Sequence, residues 1–197
     1  MPVMSLSRPD FARIGILGGG QLGRMMILAG APLGFRFGVL TPRPDDPAAG
    51  LADHHVPGSL DDAAAIRALT SWADVVTYEI EHIDTDALEA AEAAGDLILP
   101  RPAVLRTVND KLEQKRALER AGVPVPAFSE TPAGYPTVQK LRRGGYDGRG
   151  VAVLRSNGDE PLPGDSFFEE LVDFSCELAV IVARSAGGES TTYPVVE

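Results

Sequence analysis

The 197-residue sequence has a single cysteine, Cys176, which excludes an internal disulfide and every zinc motif built from several cysteines. Such thiol poverty fits a reducing, cytoplasmic setting, with Cys176 expected as a small apolar filler inside a strand. Positive charge is also scarce. With 28 acidic against 18 basic residues the formal net charge is −10, so no broad basic surface exists for nucleic acid or an anionic membrane. Any anionic ligand must be met locally. Of the basic residues only Lys111, Lys115 and Lys140 are lysines, and two of these, Lys111 and Lys140, fall where a ligand is expected. No apolar run approaches the roughly 20 residues that span a bilayer, and residues 1–13 contain no signal-peptide core.

What is present is alternation. An apolar strand at 14–17 meets Gly18-Gly19-Gly20, and an amphipathic helix runs from Gln21 to about Leu33, ending at Gly34. A strand at 35–40 leads into a turn-rich stretch at 41–47. A helix follows Ser59, with Asp61 and Asp62 in its first turn, where the helix dipole favours acids. Strand 74–78, helix 85–94 and strand 97–99, stopped by Pro100, continue the pattern, which predicts a parallel sheet covered by helices. At Thr107 the texture changes. Thr107 to Asp110 read as a capping box for a helix at 108–121 that ends at Gly122. A domain boundary is expected there, giving a first domain at 1–107 and a second at 108–168. Residues 156–166 read as a loop, and 167–172 and 174–183 as strands, the second with Glu177, Ala179 and Ile181 on one face.

Gly18, Gly20 and Gly23 satisfy G-x-G-x-x-G between a strand and a helix, the setting in which a helix N-terminus receives a pyrophosphate. A dinucleotide enzyme also wants an acidic residue at the end of the second strand, and this chain has Leu40-Thr41-Pro42 there. The motif therefore reads first as a tight turn, whose amides can serve another phosphorylated ligand. Glu79-Ile80-Glu81-His82 has the residue types of a metal site, but alternation places Glu79 and Glu81 on one face and leaves His82 structural. No metal ligand is assigned in this chain.

A stronger signal lies at 138–150, where Lys140 closes a strand and Arg142-Arg143-Gly144-Gly145-Tyr146-Asp147-Gly148-Arg149-Gly150 follows. Glycines let successive amides converge on an anion, and lysine or arginine neutralises what the amides cannot. Lys111 at a helix start, Lys140, and Glu169-Glu170-Leu171-Val172 ahead of Glu177 suggest a nucleoside triphosphate held without a Walker A sequence. Backbone groups at 170–172 could meet the base edge and Glu177 the ribose.

In that order these motifs, with Gly18-Gly19-Gly20-Gln21-Leu22-Gly23-Arg24-Met25, Thr77-Tyr78-Glu79-Ile80-Glu81-His82 and Asn109-Asp110-Lys111, resemble the 5-(carboxyamino)imidazole ribonucleotide synthase family of ATP-grasp enzymes. The resemblance runs from Arg13 to Glu197. It implies an α/β fold: a parallel-sheet pre-ATP-grasp domain, a small α+β ATP-grasp domain, and at 169–197 the first strands of a truncated central ATP-grasp domain.

The resemblance further implies that ATP and Mg²⁺ activate bicarbonate as carboxyphosphate, and that the carboxyl group passes to the amine of 5-aminoimidazole ribonucleotide. Lys111, Lys140, Gly145, Tyr146, Asp147, Gly148, Arg149, Gly150, Val151, Glu169, Glu170, Leu171, Val172 and Glu177 would bind ATP. Tyr146, Asp147 and Arg149 would also act catalytically at the ribonucleotide, joined by Gln21, Leu22 and Glu79. Members of the family continue for a comparable length and are commonly homodimers, and the Mg²⁺ ligands would lie beyond Glu197. The chain is therefore expected to be inactive alone. Alternatives are another ATP-grasp ligase, an NAD(P)-binding oxidoreductase built on 18–23, or a non-catalytic fragment keeping a nucleotide or partner interface.

Overall fold

The computed structural model describes residues 12–145, 149–185 and 187–197. Its first strand, β1 (Arg13–Leu17), sends neighbouring apolar side chains to opposite faces, as a period of two requires. Ile16 joins a core with Ile27, Phe37 and Val39, and Leu17 one with Leu40, Ile66, Leu69 and Val76. Because both are wholly buried, β1 must be covered on both sides. It lies between β2 (Arg36–Thr41) and β4 (Val75–Tyr78), and β3 (His54–Pro57) completes the order β3-β2-β1-β4, every pair parallel. Helix α1 (Gln21–Gly30) supplies Ile27 to one face. The other face receives Ile66 and Leu69 from α2 (Ala63–Trp72), Leu88 from α3 (Thr85–Ala93) and Leu105 from α4 (Pro102–Asn109). The expected parallel α/β layering is present.

Several local expectations are corrected. Helix α1 stops at Gly30, and a 3₁₀ turn, Ala31–Leu33, carries the chain to Gly34 at φ 90°. Strand β3 has no counterpart in the sequence reading because only Val56 of its four residues is buried, too little for an apolar pattern. Asp62 is the N-cap of α2 rather than a first-turn residue, accepting from the amides of Ala64 and Ala65 at 2.9 and 3.2 Å. Residues 97–99 add only a single bridge, Ile98 to Val76. The helix expected at 108–121 divides: Thr107 lies inside α4, donating its hydroxyl to the Ala103 carbonyl at 3.0 Å, and Asp110 caps a new helix, α5 (Lys111–Arg120). Asp at a cap competes better for free amides than it does inside a helix, so the chain breaks there.

The second sheet is antiparallel, with β5 (Phe128–Ser129), β8 (Ser166–Glu170), β6 (Thr137–Leu141) and β7 (Val151–Leu154) in that order. Its register pairs Lys140 with Phe167 and Val138 with Glu169, which makes Lys140 and Glu169 diagonal neighbours on one face. Helix α5 meets the end of β6, where the Lys111 amide donates to the Arg142 carbonyl at 2.9 Å.

Beyond β8 the expected strands are not formed as drawn. β8 stops at Glu170, and the stretch 174–183 contributes only the bridge from Ala179 to Val196 and the start of β9 (Val182–Arg184), which pairs with β10 (Ser190–Thr192). Every described residue from 170 onward is exposed, Cys176 included, so its expected burial is overturned. A pair of three-residue strands has no second layer against which an alternating pattern could bury a face.

Candidate functional site

After β1 the chain turns at Gly18 with φ 113°, a conformation that favours glycine, and a Cβ there would lie 2.6 Å from Glu79 Cγ. The turn aims two free amides of the α1 N-terminus at one carboxylate: Gly20 N donates to Glu79 Oε1 at 2.5 Å and Gly23 N to Oε2 at 2.6 Å. Helix N-termini favour negative charge through these unpaired amides and the helix dipole. Glu79 supplies that charge from the end of β4. Beside it opens a cleft of about 210 Å³ bounded by Gly18, Thr41, Asp46, Leu60 and Ile80. The Thr41 hydroxyl donates to Asp46, and this bond together with that from Arg43 holds the Asp46 carboxyl below the usual carboxylate range. Gln21 and Leu22 stand exposed on the first turn of α1 and do not line that cleft.

The internal carboxylate weighs against the dinucleotide alternative, since two amides a pyrophosphate would need already serve Glu79. Thr41, where the ribose-binding acid would be wanted, is itself 3% exposed. The face argument for 79–82 is corrected too. Strand β4 ends at Tyr78, so alternation stops before these residues; Glu81 lies 3.6 Å from His82 Nε2 while Glu79 goes to the glycine turn.

The second cluster gathers around α5, β6 and β8. Asp110 is 4% exposed; while capping α5 it receives Arg142 Nε at 3.0 Å on one oxygen and Arg142 Nη2 at 2.6 Å on the other. Burial pushes the Asp110 carboxyl up, but the Arg142 hydrogen bonds and the cap amides outweigh it and hold it below its ordinary value. Lys111 extends from the same cap and donates to the Gly145 carbonyl at 2.5 Å, tying α5 to the start of the glycine loop. Gly145 has no room for a side chain, because a Cβ would lie 2.6 Å from the Arg149 carbonyl oxygen and 2.9 Å from Lys111 Nζ. Gly150 takes φ 77°, and Val151, the first residue of β7, is exposed. Arg149 is described and exposed, whereas Tyr146, Asp147 and Gly148 lie outside the described residues.

Glu169, assigned to ATP from the sequence, is engaged by two lysines. Its carboxylate is 4% exposed and takes Lys140 Nζ at 2.6 Å on one oxygen and Lys115 Nζ at 2.8 Å on the other, the latter an ion pair without hydrogen-bond alignment. Lys115, which the sequence reading left unassigned, thus joins Lys140. The signal was its spacing: residues 111 and 115 are one helical turn apart and share a face of α5. Of the expected base-edge segment, the Glu170 amide is committed to the Ala127 carbonyl at 2.9 Å, and Leu171 and Val172 are exposed past the end of β8. A cleft of about 350 Å³, lined by Phe128, Tyr135, Thr137, Phe168 and Glu170, runs beside that strand. Glu177 is exposed, in neither strand nor helix, and the structure does not bring it into the lysine cluster. Among the described residues no group of three or more His, Cys, Asp or Glu could hold a metal ion.

A parallel-sheet unit with a glycine turn, followed by an antiparallel unit carrying three lysines and a glycine loop, narrows the family. Residues 11–109 match the ribonucleotide synthetase pre-ATP-grasp domain and residues 116–197 the ATP-grasp domain. The chain belongs to the ribonucleotide synthetase pre-ATP-grasp family. Within it, the chain is 42% identical to the N5-carboxyaminoimidazole ribonucleotide synthase of Synechococcus elongatus over 93% of this chain and 51% of that one. The crystal structure of N5-carboxyaminoimidazole ribonucleotide synthetase from Thermotoga maritima superposes with a TM-score of 0.88 at 38% identity, covering 93% of this chain and 52% of the other. The Aspergillus clavatus N5-carboxyaminoimidazole synthase in complex with ADP and 5-aminoimidazole ribonucleotide superposes with a TM-score of 0.82 at 32% identity, covering 93% and 53%. The chain thus spans about half the length of the curated relatives it first matches. Among the described residues no helix is long and apolar enough to cross a membrane.

Proposed function

We propose that this chain contributes the ribonucleotide turn and the triphosphate lysines of an ATP-dependent 5-(carboxyamino)imidazole ribonucleotide synthase. In that reaction a bicarbonate oxygen attacks the γ-phosphorus of ATP and ADP leaves. The exocyclic amine of 5-aminoimidazole ribonucleotide then attacks the carboxyl carbon, phosphate departs and the amine loses a proton. The observation that carries the reading is the lysine cluster: Lys140 on Glu169, with Lys111 on the glycine loop, in a chain with only three lysines and a net charge of −10. Local cations of this kind are what a triphosphate needs where the protein at large repels it. The Aspergillus clavatus relative bound to ADP and 5-aminoimidazole ribonucleotide supports both ligands.

On this reading residues 1–107 carry the ribonucleotide side, 108–168 form the small ATP-grasp domain and 169–197 begin the central one. Lys111, Lys140, Gly145 to Val151, Glu169 to Val172 and Glu177 surround ATP, with Glu169 acting through the lysines. Gln21, Leu22 and Glu79, with Tyr146, Asp147 and Arg149, address the ribonucleotide. An acyl phosphate hydrolyses readily, so a loop shared by the two ligands would keep it beside its acceptor. Bicarbonate, Mg²⁺ carried with ATP, a homodimer and a cytoplasmic setting accompany this function; none of the described residues forms a site to which Mg²⁺ is assigned.

Calorimetric titration with a non-hydrolysable ATP analogue, 5-aminoimidazole ribonucleotide and NADH tests the reading. Saturable binding of the first two without NADH is expected. Tight NADH binding with no response to the ATP analogue would overturn it in favour of the oxidoreductase.

A further inference from the structure

The carboxylate of Glu169 is buried between two ammonium groups on different oxygens, Lys140 at 2.6 Å and Lys115 at 2.8 Å. One acid against two cations leaves a surplus of one positive charge. The two lysines are not equivalent. Lys115, 19% exposed, comes from helix α5, anchored by the Asp110 cap and by buried Leu112. Lys140, 30% exposed, is the penultimate residue of β6 and runs directly into the glycine loop. The neighbouring cations are engaged elsewhere, Lys111 with Gly145 and Arg142 with Asp110.

Were Lys140 the sole partner of Glu169, drawing its ammonium toward a ligand would strand a buried carboxylate, a costly state in a low-dielectric setting. We propose that Lys115 is a positioning residue for the triphosphate: it remains on Glu169 as the permanent counter-ion, which frees Lys140 to turn its ammonium to the incoming phosphates. This rests on the ATP reading of Lys140. Lys115 touches no ligand in this scheme; it acts through Glu169, and the ligand it serves is a nucleoside triphosphate.

The scheme is tested by the affinity of a non-hydrolysable ATP analogue for wild type, Lys115→Met, Lys115→Arg, Glu169→Gln and the double variant Lys115→Met/Glu169→Gln, at low and high salt, beside thermal unfolding. Lys115→Met is expected to weaken binding about tenfold or more, the size of one lost charge partly shielded from water, and to flatten its salt dependence. Lys115→Arg should recover most of the affinity. The double variant should recover it too, because removing the acid restores the surplus charge, an outcome that loss of packing alone does not give. Wild-type affinity in Lys115→Met, or a loss that the double variant leaves unrepaired, overturns the proposal. Should Lys115→Met not fold, the double variant is compared with wild type, both with one surplus positive charge: equal affinities support action through Glu169, and a tenfold loss in the double variant overturns it. A wild type that ignores the analogue sinks the ATP reading itself, which separates that failure from this one.

Discussion

Arg142 grips Asp110 with two nitrogens, Nε at 3.0 Å and Nη2 at 2.6 Å, so that a residue at the end of strand β6 holds the cap of helix α5. The pair joins the helix bearing Lys111 and Lys115 to the strand bearing Lys140. Both ends of the lysine cluster therefore depend on a carboxylate that is 4% exposed.

Replacing Asp110 with alanine removes the α5 cap and leaves Arg142, 23% exposed, without its main partner. A loss of about 3 kcal/mol is expected, from about 1 kcal/mol for a lost cap plus a share of the cost of breaking a mostly buried ion pair. Urea unfolding at neutral pH checks it, and a midpoint equal to wild type would contradict the Asp110–Arg142 linkage. Arg142→Lys should recover only part of wild-type stability, because an ammonium cannot present the same two-nitrogen fork.

The same carboxylate sets a pH dependence. Its folded-state pKa is depressed below the unfolded value of about 3.9, so the folded state binds fewer protons than the unfolded state through this window. Its contribution is fully present above that value and is lost as pH falls toward the folded pKa. Acid titration of stability should fall less steeply below about pH 4 in Asp110→Asn than in wild type. Parallel curves would exclude Asp110 as a source of the acid sensitivity.

Glu79→Gln keeps the size of the side chain at the glycine turn but presents one good acceptor where two amides, those of Gly20 and Gly23, now find one each. The loss of charge at the α1 N-terminus and of one acceptor is expected to cost about 1–2 kcal/mol, read as a lower thermal midpoint. Affinity for 5-aminoimidazole ribonucleotide should drop in the same variant while ATP-analogue affinity stays unchanged.

Gly145→Ala places a methyl group 2.6 Å from the Arg149 carbonyl oxygen and 2.9 Å from Lys111 Nζ. Neither clash is relieved without moving the loop or detaching Lys111. ATP-analogue affinity is expected to fall at least about tenfold, with a stability change near 1 kcal/mol, since overpacking one loop residue strains it more than the core. Titration of the variant at unchanged fold, judged by circular dichroism, decides the point.

The order of elements in the first unit was legible because its pattern is local. Residues 14–17 and 74–78 are apolar or β-branched runs, and the glycines that follow the first allow only a tight turn. β3 was hidden because His54, His55 and Pro57 carry no apolar signal. The α4–α5 break was misplaced because Thr107 and Asp110 are both good caps, and only packing decided that Asp110 serves. The strand expected at 174–183 had the right alternation, yet alternation makes a buried face only where a second layer covers it.

By itself the sequence determined which residue types stand where: the glycines at 18–23 and 144–150, and Lys111 and Lys140 as the local cations of an acidic chain, are visible in residue type and spacing. Tertiary structure alone decided how those groups are balanced. Glu79 lies 59 residues from Gly20 and yet fills the amides of the α1 N-terminus. Lys115 and Glu169 come from a helix and a strand that no local pattern connects, and they meet because the antiparallel register of β6 and β8 puts Glu169 beside Lys140, where α5 can reach it. Charge compensation in a buried site is a property of distances in space, which residue spacing along the chain does not specify.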